Sequence, residues 1–291
     1  MFFPLSSLYN INCSVDVQCE RKEKSGISPG ITVIMNNTVD LPGKHPVIEA
    51  LRAGRKCRKI VFYEGIEKNP RTREIEELAK NLGIQIQLRD KEHFEEKFPH
   101  INHQSVYAVV EKRPTLEIED LIAEAGKLNP NPFLVIMDKI LYPQNMGAVI
   151  RTAECAGAHG IIIPKRRTAE IGMSVSKISA GAVEHMMLAE TSNIVRAMKT
   201  LKKNGYWIGG ATMEGATLYT EVDYSGPFAL VVGNEEKGIG PAVLKECDFR
   251  ISIPLLGRID SLNASVAAGI LIYEVARQRG FQKAHGQNSE D

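Results

Sequence analysis

The chain has 291 residues, 36 Lys and Arg against 35 Asp and Glu, and a formal charge of +1. With 43% hydrophobic residues it can bury a large core and fill about two domains, and near-neutrality excludes a protein that is basic from end to end. Five cysteines without a CxxC pair exclude a zinc ribbon or a disulfide framework and fit a reducing, cytoplasmic setting, and no apolar run approaches the roughly 18 residues of a membrane helix.

Residues 1–34 show no sustained period and read as a disordered leader, with Met35 as an alternative start. From 35 to 113 the chain reads as a small α/β domain. HPVIEALRAG is an amphipathic helix, KIVFYEG a strand, NPRTREIEELAKNLG a helix closed by Gly83, IQIQLRD a strand and HQSVYAVVEK another. Its basic excess is concentrated in Arg52, Arg55, Lys56, Arg58 and Lys59, a candidate RNA-phosphate surface that competes with a plain solvated helix end. Residues 114–131, punctuated by Pro114 and Pro130, read as a linker with one amphipathic helix.

From 132 to 284 strands and helices alternate, as in an α/β domain with a mainly parallel sheet, and 285–291 form a polar tail. PFLVIMDKI is a continuously apolar strand, as expected for a sheet covered on both faces. NMGAVIRTAECAGAHG is a helix, GIIIP a strand, MSVSKISAGAVEH a helix or loop, MMLAE a strand and NIVRAMKTLKKNG a helix. YWIGGAT and FALVVGNE are strands, GPAVLKECD a short helix, FRISIPL a strand, and SLNASVAAGILIYEVARQRG a long terminal helix.

Ligands of such sheets sit beyond the carboxyl ends of the strands. Three strand ends carry polar and glycine clusters: Tyr142 to Gly147, leading into a helix with Arg151; Gly233 to Gly238; and Pro254 to Ser265. A Walker loop fails because Ile239 and Gly240 follow Gly238 where Lys and Ser or Thr are needed. The dinucleotide fingerprint fails at Pro241, the histidines lack zinc spacing, and Ser261 and Ser265 lie in no nucleophile elbow. What remains is Asn145, Arg151, Glu235, Ser261 and Asn263, polar groups able to position a substrate, with Arg151 suited to a phosphate. Each also has a plainer reading: Asn145 or Ser261 as a helix cap, Arg151 as a surface residue, Gly233 as a turn glycine.

Taken in order, Asn145-Met146-Gly147-Ala148-Val149-Ile150-Arg151-Thr152-Ala153, Val232-Gly233-Asn234-Glu235-Glu236-Lys237-Gly238, and Ile253-Pro254-Leu255-Leu256-Gly257 followed by Ser261-Leu262-Asn263-Ala264-Ser265 resemble the SpoU (TrmH) family of RNA ribose 2′-O-methyltransferases. The resemblance implies a SPOUT-type trefoil-knot domain preceded by an L30e-like substrate-binding domain, the latter carried by Gly43-Lys44-His45-Pro46-Val47 and by His103-Gln104-Ser105. It implies S-adenosylmethionine as donor, no metal, and a homodimer through the knot. It also implies a donor site at Gly233, Ile253 and Leu262, with Leu255 and Gly257 in the same motifs, and a catalytic set of Arg151, Asn145, Glu235, Ser261 and Asn263. The expected substrate is a guanosine of 23S ribosomal RNA, with tRNA methylation or a non-catalytic ribosome-assembly role as alternatives. Two positions depart from the family pattern: Tyr142 stands where Asp or Asn is usual, and Ser105 where Gly is usual.

Overall fold

The computed structural model describes residues 37–213 and 216–281. The expected leader at 1–34 and tail at 285–291 lie outside the described residues. From Thr38 onward the described chain forms one compact unit built on two sheets.

The first sheet has the order β1-β4-β2-β3, from β1 (Thr38–Pro42), β2 (Cys57–Tyr63), β3 (Ile86–Arg89) and β4 (Val106–Glu111). Strand β4 pairs antiparallel with β1 and β2, while β2 and β3 are parallel. Helices α1 (Lys44–Arg52) and α2 (Pro70–Asn81) supply Val47, Ile48, Leu51 and Ile75 to a core shared with Ile60, Phe62, Val106 and Ala108. Asn69 starts α2 by accepting the Thr72 amide, and Pro70 fits the first turn because its missing N–H would have no partner there. On the other face α3 (Lys91–Lys97) inserts Phe94 against Val61, Phe98 and Tyr107. Charge dominates KEHFEEK, and one buried phenylalanine anchors it.

The second sheet has seven strands in the order β7-β6-β5-β10-β8-β11-β9, all pairing parallel. They are β5 (Phe133–Asp138), β6 (Gly160–Pro164), β7 (Met187–Thr191), β8 (Trp207–Ala211), β9 (Thr217–Leu218), β10 (Phe228–Gly233) and β11 (Phe249–Ser252). Every residue of β5 and β10 is buried. The pleat sends Phe133, Val135 and Met137 into one core and Leu134 and Ile136 into the other, which is why the run is apolar without alternation.

Helices α5 (Pro143–Cys155), α6 (Met173–Ile178) and α9 (Ala264–Gln278) contribute Met146, Val149, Ile150, Val175 and Leu271 to the first of these cores. Helices α4 (Ile118–Leu128), α7 (Ile194–Lys203) and α8 (Pro241–Glu246) cover the other face. The segment 114–131, expected as a linker, is therefore part of the packed body. Leu121 and Ala125 of α4 are fully buried, and the Leu116 amide donates to Leu188 O at 2.7 Å. Gly147 lets α5 lie directly on α6, since a Cβ there would come within 2.7 Å of Ile178 Cβ.

The two sheets are locked together by ion pairs. Glu184, in the 3₁₀ turn Ala182–Glu184, is almost fully buried and accepts from Arg55 at 2.7 Å, with Arg113 at 3.8 Å. Arg55 also donates to Glu111 O at 2.9 Å, and Arg113 donates to the carbonyls of Val183 and Met186. His185 Nε2 lies 2.8 Å from Glu49 of α1. Arg55, expected on an RNA-facing surface, is thus committed to holding the first sheet on the second.

Candidate active site

The carboxyl edge of the parallel sheet carries a cavity of about 470 Å³ beside the ends of β10, β8 and β11. Gly233, Ile253, Leu255 and Leu262 line it, as do Glu235 and Ser261. Gly257 does not: it is exposed, and a Cβ there would touch nothing within 4 Å. Gly233 is required by close approach. The turn 234–239 folds back over the end of β10, so a Cβ on Gly233 would fall on the Gly238–Ile239 peptide, 2.7 Å from the Gly238 oxygen.

That turn is held from within and from below. The amides of Asn234 and Gly238 each donate to the other's carbonyl, at 3.0 and 2.9 Å. Asn234 Oδ1 accepts from the Glu236 and Lys237 amides, both at 3.0 Å, and its Nδ2 donates to Lys139 O. Asp138, 2% exposed at the end of β5, accepts the Gly240 amide at 2.8 Å. Asp138 and Asn234 were not among the residues expected at the site. The one sign of Asp138 in the sequence is a carboxylate closing an otherwise apolar strand.

Beside the cavity one network joins the three motifs. Asn145 Nδ2 donates to Glu235 Oε1 at 2.9 Å, and Asn263 Nδ2 donates to Asn145 Oδ1 at 3.1 Å. Glu235 also accepts the amides of Leu141 and Tyr142, both at 3.4 Å, so the carboxylate reaches the start of α5. Tyr142 makes no side-chain cap there and is half exposed; its departure from the family pattern leaves the network intact. Asn263 accepts the Ser265 amide at 2.9 Å and is the N-cap of α9, a place Ser261 was a candidate for. Asn145 is no cap; it lies within α5, 9% exposed.

Arg151 stands apart. It is exposed on α5, does not line the cavity, and forms no hydrogen bond or ion pair among the described residues. Of the other cations expected to meet RNA, Arg52 pairs with Glu49 and Glu74, Lys59 donates to Gln87 at 3.1 Å, Lys56 lies 4.0 Å from Glu111, and Arg58 is exposed without a partner among the described residues. In the loop before β4, Gln104 and Ser105 take left-handed φ values of 50° and 63°. Ser105 therefore holds a conformation that glycine would adopt without steric cost. His103 Nδ1 accepts the Ser105 amide at 3.0 Å, and burial together with nearby Lys177 pushes its pKa down.

The cavity's chemistry fits a nucleoside sulfonium. Asn234, Glu235 and Ser261 give its lining polar groups, while Val232, Ile251 and Leu271 supply apolar wall. Among the described residues no cluster of His, Cys, Asp or Glu is placed to hold a metal.

Comparison with known proteins agrees with this geometry. Residues 132–273 match the SpoU rRNA Methylase family, and 41–116 match the RNA 2′-O ribose methyltransferase substrate binding family. YacO of Bacillus subtilis, assigned to the TrmH family of tRNA/rRNA methyltransferases, is 40% identical over 237 residues, 81% of this chain and 94% of YacO. A TrmH-family relative from Staphylococcus saprophyticus is 36% identical over 239 residues, 82% of this chain and 95% of its own. The SpoU methyltransferase AviRb of Streptomyces viridochromogenes superposes with a TM-score of 0.71 at 24% identity, covering 85% of this chain and 92% of AviRb, and shows the shared fold. An AdoMet-bound rRNA methyltransferase of Sinorhizobium meliloti gives 0.68 at 26% identity, over 83% and 87% of the two chains. Fold and site thus define an S-adenosylmethionine-dependent RNA methyltransferase. The chain belongs to the SpoU (TrmH) family.

Proposed function

We propose that the chain methylates the ribose 2′-hydroxyl of a guanosine in 23S ribosomal RNA, in the cytoplasm. The observation that carries the reading is the Glu235–Asn145–Asn263 chain of hydrogen bonds beside the cavity, because it ties the donor-site loops to the helix that bears Arg151. Bound S-adenosylmethionine supplies an electrophilic methyl group. Gly233, Ile253, Leu255 and Leu262 are the residues that would hold it. The chain's own task is to align a poor nucleophile and to stabilise the charge that develops as its proton leaves. Arg151 offers a charged planar fork of donors with no acceptor, so its role is to stabilise the alkoxide and grip the adjacent phosphate. Asn145 and Asn263 hold α5 and the start of α9 in register, Glu235 fixes the loop that leads into α5, and Ser261 faces the donor from the cavity lining.

The preference for ribosomal RNA over tRNA rests on the first sheet, an added module suited to reading a structured loop, and on the name of the Sinorhizobium meliloti relative. The reading includes a homodimer that completes the site. Leu262 just before α9 and Val266 and Tyr273 on it expose 38%, 51% and 46% of their surface, and Arg151 lies on the exposed face of α5, outside its own cavity. Incubation with labelled donor and separate pools of unmodified 23S rRNA and tRNA tests the substrate. Label in the rRNA alone is expected; label in the tRNA alone would reverse the assignment. Mixing Arg151→Ala protein with Gly233→Ala protein tests the shared site, where recovered activity is the expected result.

A further inference from the structure

The segment after β6 reads Pro164-Lys165-Arg166-Arg167-Thr168-Ala169-Glu170. Lys165, Arg166 and Arg167 are exposed, and none forms an ion pair or a side-chain hydrogen bond among the described residues. Glu170 is the only acidic residue between Pro164 and Met173. Arg52 and Arg55 of the first sheet, by contrast, are engaged by carboxylates.

Position gives the cluster its meaning. Strands β5 and β6 are in parallel register, Ile136 beside Ile162, so Pro164 ends level with Asp138. Asp138 is in turn level with Gly233 of β10. Two strand spacings, about 10 Å, separate the basic segment from the donor-site loop. The segment is also fixed. Thr168 Oγ1 and the Ala169 amide both donate to Ile140 O, at 2.9 and 2.8 Å, and the Lys165 amide donates to Thr191 O at 2.8 Å. Ile140 immediately precedes Leu141 and Tyr142, whose amides reach Glu235. Within this anchored frame Arg167 is held at φ 59°, a left-handed conformation that costs a non-glycine residue energy and that concentrates at functional sites.

We propose that Lys165, Arg166 and Arg167 form a phosphate-binding rail that holds the RNA backbone flanking the methylated nucleotide, on the side of the site opposite the donor cavity. The assignment rests on the functional reading above and adds to it a ligand, single-stranded RNA phosphates, for a segment outside the three family motifs. It explains why three unpaired cations sit on an anchored, strained loop at the carboxyl edge of the sheet, where a merely solvated loop needs neither the anchoring nor the strain.

The test is RNA binding by full-length protein as a function of salt, with a 23S rRNA transcript and a short oligouridylate as probes. The variant replaces Lys165, Arg166 and Arg167 by Ala. A charge-matched control replaces Lys127, Lys199 and Lys203, on α4 and α7, which lead to the amino-terminal ends of β5 and β8. If each cation meets one phosphate, the slope of log K against log salt falls by about 2 in the loop variant, and affinity at 0.1 M salt falls about 100-fold. Donor affinity stays unchanged. Arg167→Gly, which suits the observed φ, should lose about fivefold without loss of thermal stability. Equal RNA binding by the loop variant and the control would overturn the rail. Absence of RNA binding by the unaltered protein would overturn both the rail and the reading it rests on.

Discussion

Gly233→Ala is the most informative single substitution at the donor site. The added methyl group would meet the Gly238–Ile239 peptide, with the Gly238 oxygen at 2.7 Å where an ordinary contact begins at 3.4 Å. Backbone cannot swing aside as a side-chain tip can, and the peptide carbon and nitrogen lie closer still, so the turn must rise by about an ångström. That movement costs about 1–3 kcal/mol as overpacking. It also strains the paired Asn234–Gly238 hydrogen bonds, worth about 1 kcal/mol each. The sum is about 3–5 kcal/mol, felt as a lower thermal midpoint if the turn stays closed. If the turn opens instead, the same strain appears as weaker binding of S-adenosylmethionine, by about 100-fold or more. Calorimetric titration and thermal unfolding of the same preparation read both. Gly257→Ala is the control, because that residue meets nothing within 4 Å and lies off the cavity. Unchanged midpoint and unchanged affinity in Gly233→Ala would refute the close approach and the role of the turn.

Arg151→Lys should lower turnover about 100-fold while leaving donor affinity intact, since the guanidinium lies outside the cavity; near wild-type turnover would remove Arg151 from the chemistry. Glu184→Ala leaves Arg55 and Arg113 without their shared carboxylate, so stability should fall by about 3–5 kcal/mol, and a loss under about 1 kcal/mol would show that the buried cluster does not hold the sheets together. His103 has its pKa depressed below 6.5 by burial and Lys177, and its neutral Nδ1 accepts the Ser105 amide. Its stabilising contribution is therefore present above about pH 6.5 and lost as pH falls through the lower folded value. Wild-type protein should lose more thermal stability on acidification than His103→Asn, and parallel curves would contradict this. Ser105→Gly relieves the left-handed φ of 63° and should raise stability by about 1 kcal/mol, measured by denaturant midpoint.

The second sheet was legible because its signal is local and strong. PFLVIMD and FALVVG are apolar throughout, and that pattern needs cover on both faces. Strand β1 and helix α3 leave little trace in the sequence, because TVDLP is short and proline-bounded and KEHFEEK hides its one buried residue among charges. Strand β9 has two residues, below any periodic signal. Proline spacing made 114–131 resemble a linker, yet Leu121 and Ala125 belong to a core shared with β5, β10 and α7, among other elements. Arg55 misled for a similar reason. A run of cations is visible in sequence, but the carboxylate that claims one of them, Glu184, lies 129 residues away. The candidate site was read further than the packing, since glycine and amide positions within each motif are local. The Glu235–Asn145–Asn263 contacts, which span 90 and 118 residues, exist only in the fold.

The central claim is methyl transfer to a ribose oxygen of RNA. Its most direct test is nucleoside mass spectrometry of unmodified 23S rRNA after incubation with the full-length protein and isotope-labelled S-adenosylmethionine. The account predicts label in 2′-O-methylguanosine at a single position, absent when Arg151 is replaced by Lys. Label on a base, or no label in any RNA from a preparation that binds the donor, would contradict it.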